Sequence, residues 1–308
     1  MSIVLVSTSR DPKKWYKALK EKNEDLDIQI YPDIERPEDI EFAISWKHPD
    51  GLYKNYPNLE VVASMGAGVN HILKDEDLPP KVRVTRIVDD QLTKDMSQFV
   101  LLQCLAVSRN LFTHLKDQSS KSWSPRAYQT PPKTNIGIMG YGVLGKEAGK
   151  VLKANGFNVI GYANTSKIVD GIKVYGADQQ DEFLDQTQIL VCLLPVTSST
   201  KGVLNFELFQ KLKDEAYLIN VARGEHLLEA DLIKAIDTGK LKGASLDVFQ
   251  EEPLPESHPF WEHENIQITP HVASMTDPES VANQLLENYR RMKNGEALLN
   301  VVDVQKGY

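Results

Sequence analysis

Three polar residues stand just past three apolar runs: Arg223 after "AYLINVA", Glu252 after "GASLDVFQE" and His271 after "IQITP". An arginine can clamp a carboxylate through two parallel hydrogen bonds. A histidine can hand a proton to a carbonyl oxygen as hydride arrives at the carbon. A glutamate beside that histidine would hold one tautomer and raise its pKa. Taken singly, each has a plainer reading as a surface cation, a turn acid or a loop histidine. Together they suit reduction of a 2-keto acid.

A second constellation lies upstream. "NIGIMGYGVLGKEAGKVLKANG" carries Gly140, Gly142 and Gly145 in the GxGxxG spacing, after a five-residue apolar strand and at the head of an amphipathic stretch that stops at Gly156. That context makes the motif a dinucleotide-binding turn. Gly140 allows the turn, Gly142 lets backbone approach a pyrophosphate, and Gly145 lets helix pack on strand. The helix N-terminus then offers N–H groups and partial positive charge to phosphates. An acid gripping the adenine ribose is expected ~20 residues on. Alanine stands there instead, at Ala163, followed by Asn164, Thr165, Ser166 and Lys167. Small hydroxyl and amide donors with a cation suit a 2′-phosphate, so the expected cofactor is NADPH, with NADH possible.

These residues need strands to carry them. The N-terminal third alternates β-branched runs ("IVLV", "DIQIY", "FAISW", "LEVVA", "VRVTRI") with helical stretches, which implies βαβ units and a parallel sheet. One buried helix is expected over 91–116, then a connector over 117–134. A second series follows, "NIGIM", "NVIGY", "QILVCLL", "AYLINV", "GASLDV" and "IQIT", reading as a larger doubly wound sheet. A last helix is expected over 277–295, with Gly295 as its stop.

Composition narrows the class. The 308 residues are 41% apolar, enough for two domains with ordinary cores. A net charge of −8 argues against nucleic acid as the main partner. No apolar run reaches the ~20 residues of a membrane span, and "MSIVLVSTSR" is too short a run for a secretory signal, so a soluble cytoplasmic protein is expected. Cys104 and Cys192 lie in apolar runs and read as core. His258 and His263, near Glu262 and Glu264, match no zinc spacing and read as a solvated loop, so no metal is expected.

The ordered segments "GIMGYGVLG", "LINVARGE", "SLDVFQEEPLP" and "ITPHVAS" resemble the D-isomer-specific 2-hydroxyacid dehydrogenases, and among them the glyoxylate/hydroxypyruvate reductase branch. "NYPNLEVVASMGAGVNHI" and the end "LLNVVDVQKGY" extend the likeness over nearly the whole chain. The resemblance implies an α/β protein of two doubly wound parallel-sheet domains. One is a flavodoxin-like substrate domain of residues 1–100 and 278–308, the other a Rossmann dinucleotide domain of 101–277, with substrate bound between them.

By position, the resemblance makes Arg223 the carboxylate ligand, His271 the proton donor and Glu252 its partner. The N–H groups of Ala67 and Gly68, in the loop Met65 to Val69, would hold the carboxylate, with the Trp46 ring over the substrate. Asp247 would contact the nicotinamide carboxamide, while Val143, Leu144, Pro195, Val221 and Ala222 line the cofactor cleft. The implied activity is NADPH-dependent reduction of glyoxylate or hydroxypyruvate by a homodimer. Pro270 stands where many relatives have glycine. The alternatives are a D-lactate-type dehydrogenase for bulkier keto acids and a nucleotide-sensing binding protein. Formate dehydrogenases of this fold pair their histidine with glutamine, so Glu252 argues against that activity.

Overall fold

A computed structural model describes residues 2–304. Residues 305–308, the end of the C-terminal segment of likeness, lie outside the described residues. The chain divides into two compact units, Met1–Leu92 with Met275–Tyr308, and Thr93–Ser274.

The first unit is a parallel sheet of β1 (Ser2–Ser7), β2 (Ile28–Ile30), β3 (Ile40–Trp46), β4 (Val61–Ser64) and β5 (Arg83–Thr85), in the order β2-β1-β3-β4-β5. That is the flavodoxin-like order. β1 and β3 are apolar on both faces because both faces are covered. On one face Ile3, Leu5, Phe42 and Ile44 pack with Trp15 and Leu19 of α1 (Pro12–Lys22), and with Val281 and Leu285 of the C-terminal helix. The other face packs Val4, Val6 and Ala43 against Tyr53, Val69 and Ile72, the last on the short α2 (Asn70–Leu73).

The expected single helix over 91–116 is two. α3 (Asp90–Ser108) ends where Asn110 takes a left-handed φ of 55°, and α4 (Leu111–Ser119) resumes beyond it. Nor is the segment wholly buried: Leu102, Leu105, Leu111 and Leu115 are exposed, and α4 buries no residue. Apolar periodicity alone does not distinguish a face turned to the core from one turned outward.

The second unit opens with β6 (Asn135–Met139), α5 (Val143–Ala154) and β7 (Asn158–Tyr162), the predicted strand, glycine turn, helix and strand. A hairpin then appears that the sequence reading lacks: β8 (Lys167–Val169) runs antiparallel to β9 (Ile172–Tyr175). Next come α6 (Gln180–Asp185), β10 (Ile189–Cys192), α7 (Phe206–Lys211), β11 (Ala216–Asn220), α8 (Glu229–Asp237), β12 (Leu241–Leu246) and β13 (Ile266–Ile268). The C-terminal helix is α9 (Pro278–Lys293). The sheet order β13-β12-β11-β10-β6-β7-β9-β8 reverses direction of growth between β6 and β10, the Rossmann switch point. Cys104 and Cys192 are fully buried, as expected, and burial pushes the Cys192 thiol up to about 12.

A tyrosine locks helix to strand at this point. Tyr141, inside the glycine turn, is 4% exposed and packs against Gly149 of α5 and Gly161 of β7. A Cβ at Gly161 would stand 2.5 Å from the Tyr141 ring. Gly161→Ala is therefore expected to destabilise the protein by about 1–3 kcal/mol through overpacking. An unchanged urea midpoint would show that the ring has room to move.

Candidate active site

In the larger sheet, Tyr175, Tyr162, Met139, Cys192, Asn220, Leu246 and Ile268 stand side by side across seven parallel strands. The predicted site residues of this unit follow that row by a few positions. Gly140, Ala163 and Asp247 are the next residue on their strands; Pro195, Arg223 and His271 are the third. One edge of one sheet thus carries the glycine turn and the catalytic candidates.

His271 Nδ1 lies 3.1 and 3.0 Å from the two carboxylate oxygens of Glu252. The pair is partly exposed, and the contact directs Nε2 away from the glutamate. His271 has φ 55°, a conformation costing a non-glycine residue on the order of 1 kcal/mol, so its surroundings must hold it. Asp247 does so. Its buried carboxylate accepts from Thr269 Oγ1 at 2.6 Å and from the Val272 and Ala273 N–H groups at 2.9 Å each.

Arg223 is held by its own turn. Its carbonyl accepts from Asn220 Nδ2 at 3.0 Å and faces His226 Nδ1 at 3.1 Å, while the other ring nitrogen of His226 lies 3.2 Å from the Pro195 carbonyl. Asn220 also accepts from the Ala222 N–H at 3.2 Å. Gly224 lies against the Phe249 carbonyl, where any Cβ would collide, so the Arg223 turn and the turn bearing Glu252 are in backbone contact. Burial lowers the Arg223 pKa from its ordinary value, while Glu225 and Glu252 act in the opposite direction. Arg223, Glu252 and His271 are thereby brought together.

A guanidinium, an imidazole backed by a carboxylate and a Rossmann glycine turn on one sheet edge are the parts for hydride chemistry on a keto acid. The family profile described as D-isomer specific 2-hydroxyacid dehydrogenase, NAD binding domain, matches residues 101–273. The chain belongs to the D-isomer specific 2-hydroxyacid dehydrogenase family. It is 37% identical to a protein of Serratia proteamaculans named glyoxylate/hydroxypyruvate reductase A, over 100% of both chains. Among solved structures, a D-isomer specific 2-hydroxyacid dehydrogenase of Xanthobacter autotrophicus, in complex with NADPH and MES, has a TM-score of 0.94 at 36% identity, covering 100% of this chain and 99% of that one. The NADPH-dependent glyoxylate/hydroxypyruvate reductase of Sinorhizobium meliloti, in complex with NADP and sulfate, has a TM-score of 0.93 at 36% identity, covering 100% of both chains.

In this 2-hydroxyacid dehydrogenase the glycine turn fits a dinucleotide. Gly140 has φ 100°, and a Cβ there would meet the Leu193 carbonyl at 2.6 Å. Around Gly142 a Cβ would meet nothing within 4 Å, so its backbone is open to a ligand. No side chain caps α5 and no acid occupies its first turn, which leaves the helix start to an anion. Gly145 packs on the Gly140 carbonyl; Val143 is half-exposed and Leu144 packs against the core. Val221 and Ala222 are buried, so what they offer a ligand is backbone.

Ala163 packs on the core, and Asn164, Thr165, Ser166 and Lys167 are exposed at the turn into β8. In the other unit, Trp46 ends β3, and Ala67 and Gly68 lie in the turn after β4. His258 and His263 differ from expectation. They are partly buried rather than solvated, each beside an acid of α8: His258 Nε2 lies 3.2 Å from Glu229 and His263 Nε2 lies 3.5 Å from Asp237.

The sequence reading missed Asn220 and His226 as struts. Both are polar residues flanking "VARGE", and only their burial at 0% exposure reveals the role. Burial lowers the His226 pKa against the pull of the Pro195 and Arg223 carbonyls. It also lowers that of His48, which is paired with Asp75 at 3.0 Å inside the first unit. Both pKa values lie below the ordinary 6.5. The unfolded chain therefore takes up protons first as pH falls, and the stability these residues contribute, present above about 6.5, is lost as pH falls through their folded values. The melting temperature is expected to drop between pH 7.5 and 5.5, with a shallower slope in His226→Asn. A pH-independent melting temperature over that range would refute neutral burial.

Proposed function

We propose that the protein reduces glyoxylate to glycolate and hydroxypyruvate to D-glycerate with NADPH. The observation that carries this reading is the Glu252 carboxylate on His271 Nδ1 at 3.0 Å, on the same sheet edge as Arg223 and the glycine turn. It is supported by the relative named glyoxylate/hydroxypyruvate reductase A and by the solved structure named NADPH-dependent glyoxylate/hydroxypyruvate reductase.

Thr93–Ser274 is the dinucleotide unit, and Met1–Leu92 with Met275–Tyr308 the substrate unit. The N–H groups at Gly142, Val143 and Leu144 hold the pyrophosphate. Asn164, Thr165, Ser166 and Lys167 seat the 2′-phosphate, where Ala163 offers no opposing charge. Of about four lone-pair sites on the Asp247 carboxylate three are taken, which leaves one for the carboxamide. The bound dinucleotide supplies the hydride. Arg223 clamps the substrate carboxylate and polarises the keto oxygen, and the Ala67 and Gly68 N–H groups are carboxylate ligands. His271 Nε2 gives its proton to the keto oxygen, and Glu252 stabilises the imidazolium before transfer.

The exposed Leu102, Leu111, Leu115 and Trp123, the last 96% exposed, support a homodimer formed through α3, α4 and the connector. Two free buried cysteines suit the reducing cytoplasm. No helix among the described residues is long and apolar enough to cross a membrane.

Steady-state kinetics with glyoxylate and hydroxypyruvate test the reading. His271→Ala is expected to lower kcat by about 10²–10⁴; near-normal turnover would remove the proton-donor role. With either substrate, kcat/KM for NADPH should exceed that for NADH by at least about tenfold, or ~1.4 kcal/mol. Lys167→Ala should narrow that ratio by losing NADPH efficiency alone. A wild-type preference for NADH would contradict the 2′-phosphate seat.

A further inference from the structure

The family resemblance implies the Trp46 ring over the substrate, yet the structure covers that ring. Trp46 is only 7% exposed. The guanidinium carbon of Arg10 lies 3.7 Å from its ring centroid, and the His71 ring lies 4.6 Å from it. Arg10 follows β1, and its own N–H donates to Ser7 Oγ at 2.8 Å. Its Nη1 donates to the Met65 carbonyl at 3.2 Å, in the turn carrying Ala67 and Gly68. A Cβ at Gly66 would stand 2.9 Å from the Trp46 ring, so ring and turn are also in close contact. β1, β3 and β4 are neighbours in the sheet, and Arg10, Trp46 and this turn share the carboxyl ends of the three.

The turn is arranged to receive an anion. The Met65 carbonyl is taken by Arg10, that of Gly66 by the Ile87 N–H, and that of Gly68 by Ser64 Oγ. The N–H groups of Ala67 and Gly68 have no partner among the described residues. A guanidinium has five donors and stacks on an aromatic face while still hydrogen bonding at its edge.

From this geometry we infer that Arg10, held on Trp46, is a specificity-determining residue that recognises an oxygen acceptor on the carbon beyond the keto group, a hydroxyl or a second carboxylate. This rests on the reductase reading for the substrate class. A substrate carrying such a group gains a charge-assisted hydrogen bond that glyoxylate does not make, so the two kinds of substrate differ in how much they depend on Arg10. Trp46 is the platform, and Arg10 is what the substituent meets.

The test compares wild type, Arg10→Gln and Arg10→Lys on glyoxylate and pyruvate, which lack the acceptor, and on hydroxypyruvate and oxaloacetate, which carry it. Arg10→Gln is expected to lower kcat/KM for the latter two by roughly tenfold or more, mainly through KM, and to change the former two by no more than about twofold. Arg10→Lys should recover part of the oxaloacetate efficiency by restoring charge. An equal loss on all four substrates, or none on any, would overturn the inference. Wild type that fails to reduce glyoxylate would instead overturn the reductase reading. Calorimetry then still decides for Arg10. Tartronate should bind wild type more tightly than lactate does, with the difference lost in Arg10→Gln, and equal binding to both proteins would refute the role.

Discussion

Parallel pairing in a common register is the constraint on which the site depends. Because Met139, Cys192, Asn220, Leu246 and Ile268 stand in one row, the residues that follow them emerge along one edge, although they are separated by up to 129 positions (268 minus 139). A slip of one residue in a single pair would turn that strand's side chains to the opposite face and displace its loop. The apolar faces that enforce the register bury Leu190, Leu218 and Leu246 on one side, and Val191, Ile219 and Ile138 on the other. The geometry of the candidate site is in this sense a by-product of core packing.

Beneath the candidate side chains lies a layer of buried polar residues. Asp247 fastens the turn that carries His271, and Asn220 and His226 fasten the turn that carries Arg223. Buried polar groups are tolerated when they are hydrogen-bonded, and such satisfied networks make one conformation unique. Here they hold a left-handed histidine and a close backbone approach at Gly224, neither of which local propensity would favour. The first unit repeats the pattern around His48 and Asp75, whose carboxylate also accepts the Gly51 and Asp77 N–H groups.

Much of this was legible in advance where chemistry and periodicity coincide. GxGxxG after an apolar strand announced both the turn and its helix, and polar residues closing apolar runs marked Arg223, Glu252 and His271. The break at Asn110 and the β8–β9 hairpin were not legible. The first depends on one residue adopting a left-handed conformation inside an apolar-periodic run, and the second on strands of three and four residues too short to show alternation. His258 and His263 were misread as solvated, since pairing with the acids of α8 links residues far apart in sequence.

The sequence by itself determined the fold class, the order of the strands' chemistry and the identity of the groups at the strand ends, because these follow from residue type and short-range spacing. Only the tertiary structure decided which polar residues are struts and which face outward. It turned Val221 and Ala222 into the core, set Asp247 under the histidine turn, and laid Arg10 across Trp46. Burial and hydrogen-bond partnership are properties of packed surfaces, and a linear spacing carries no record of which distant side chain completes the contact.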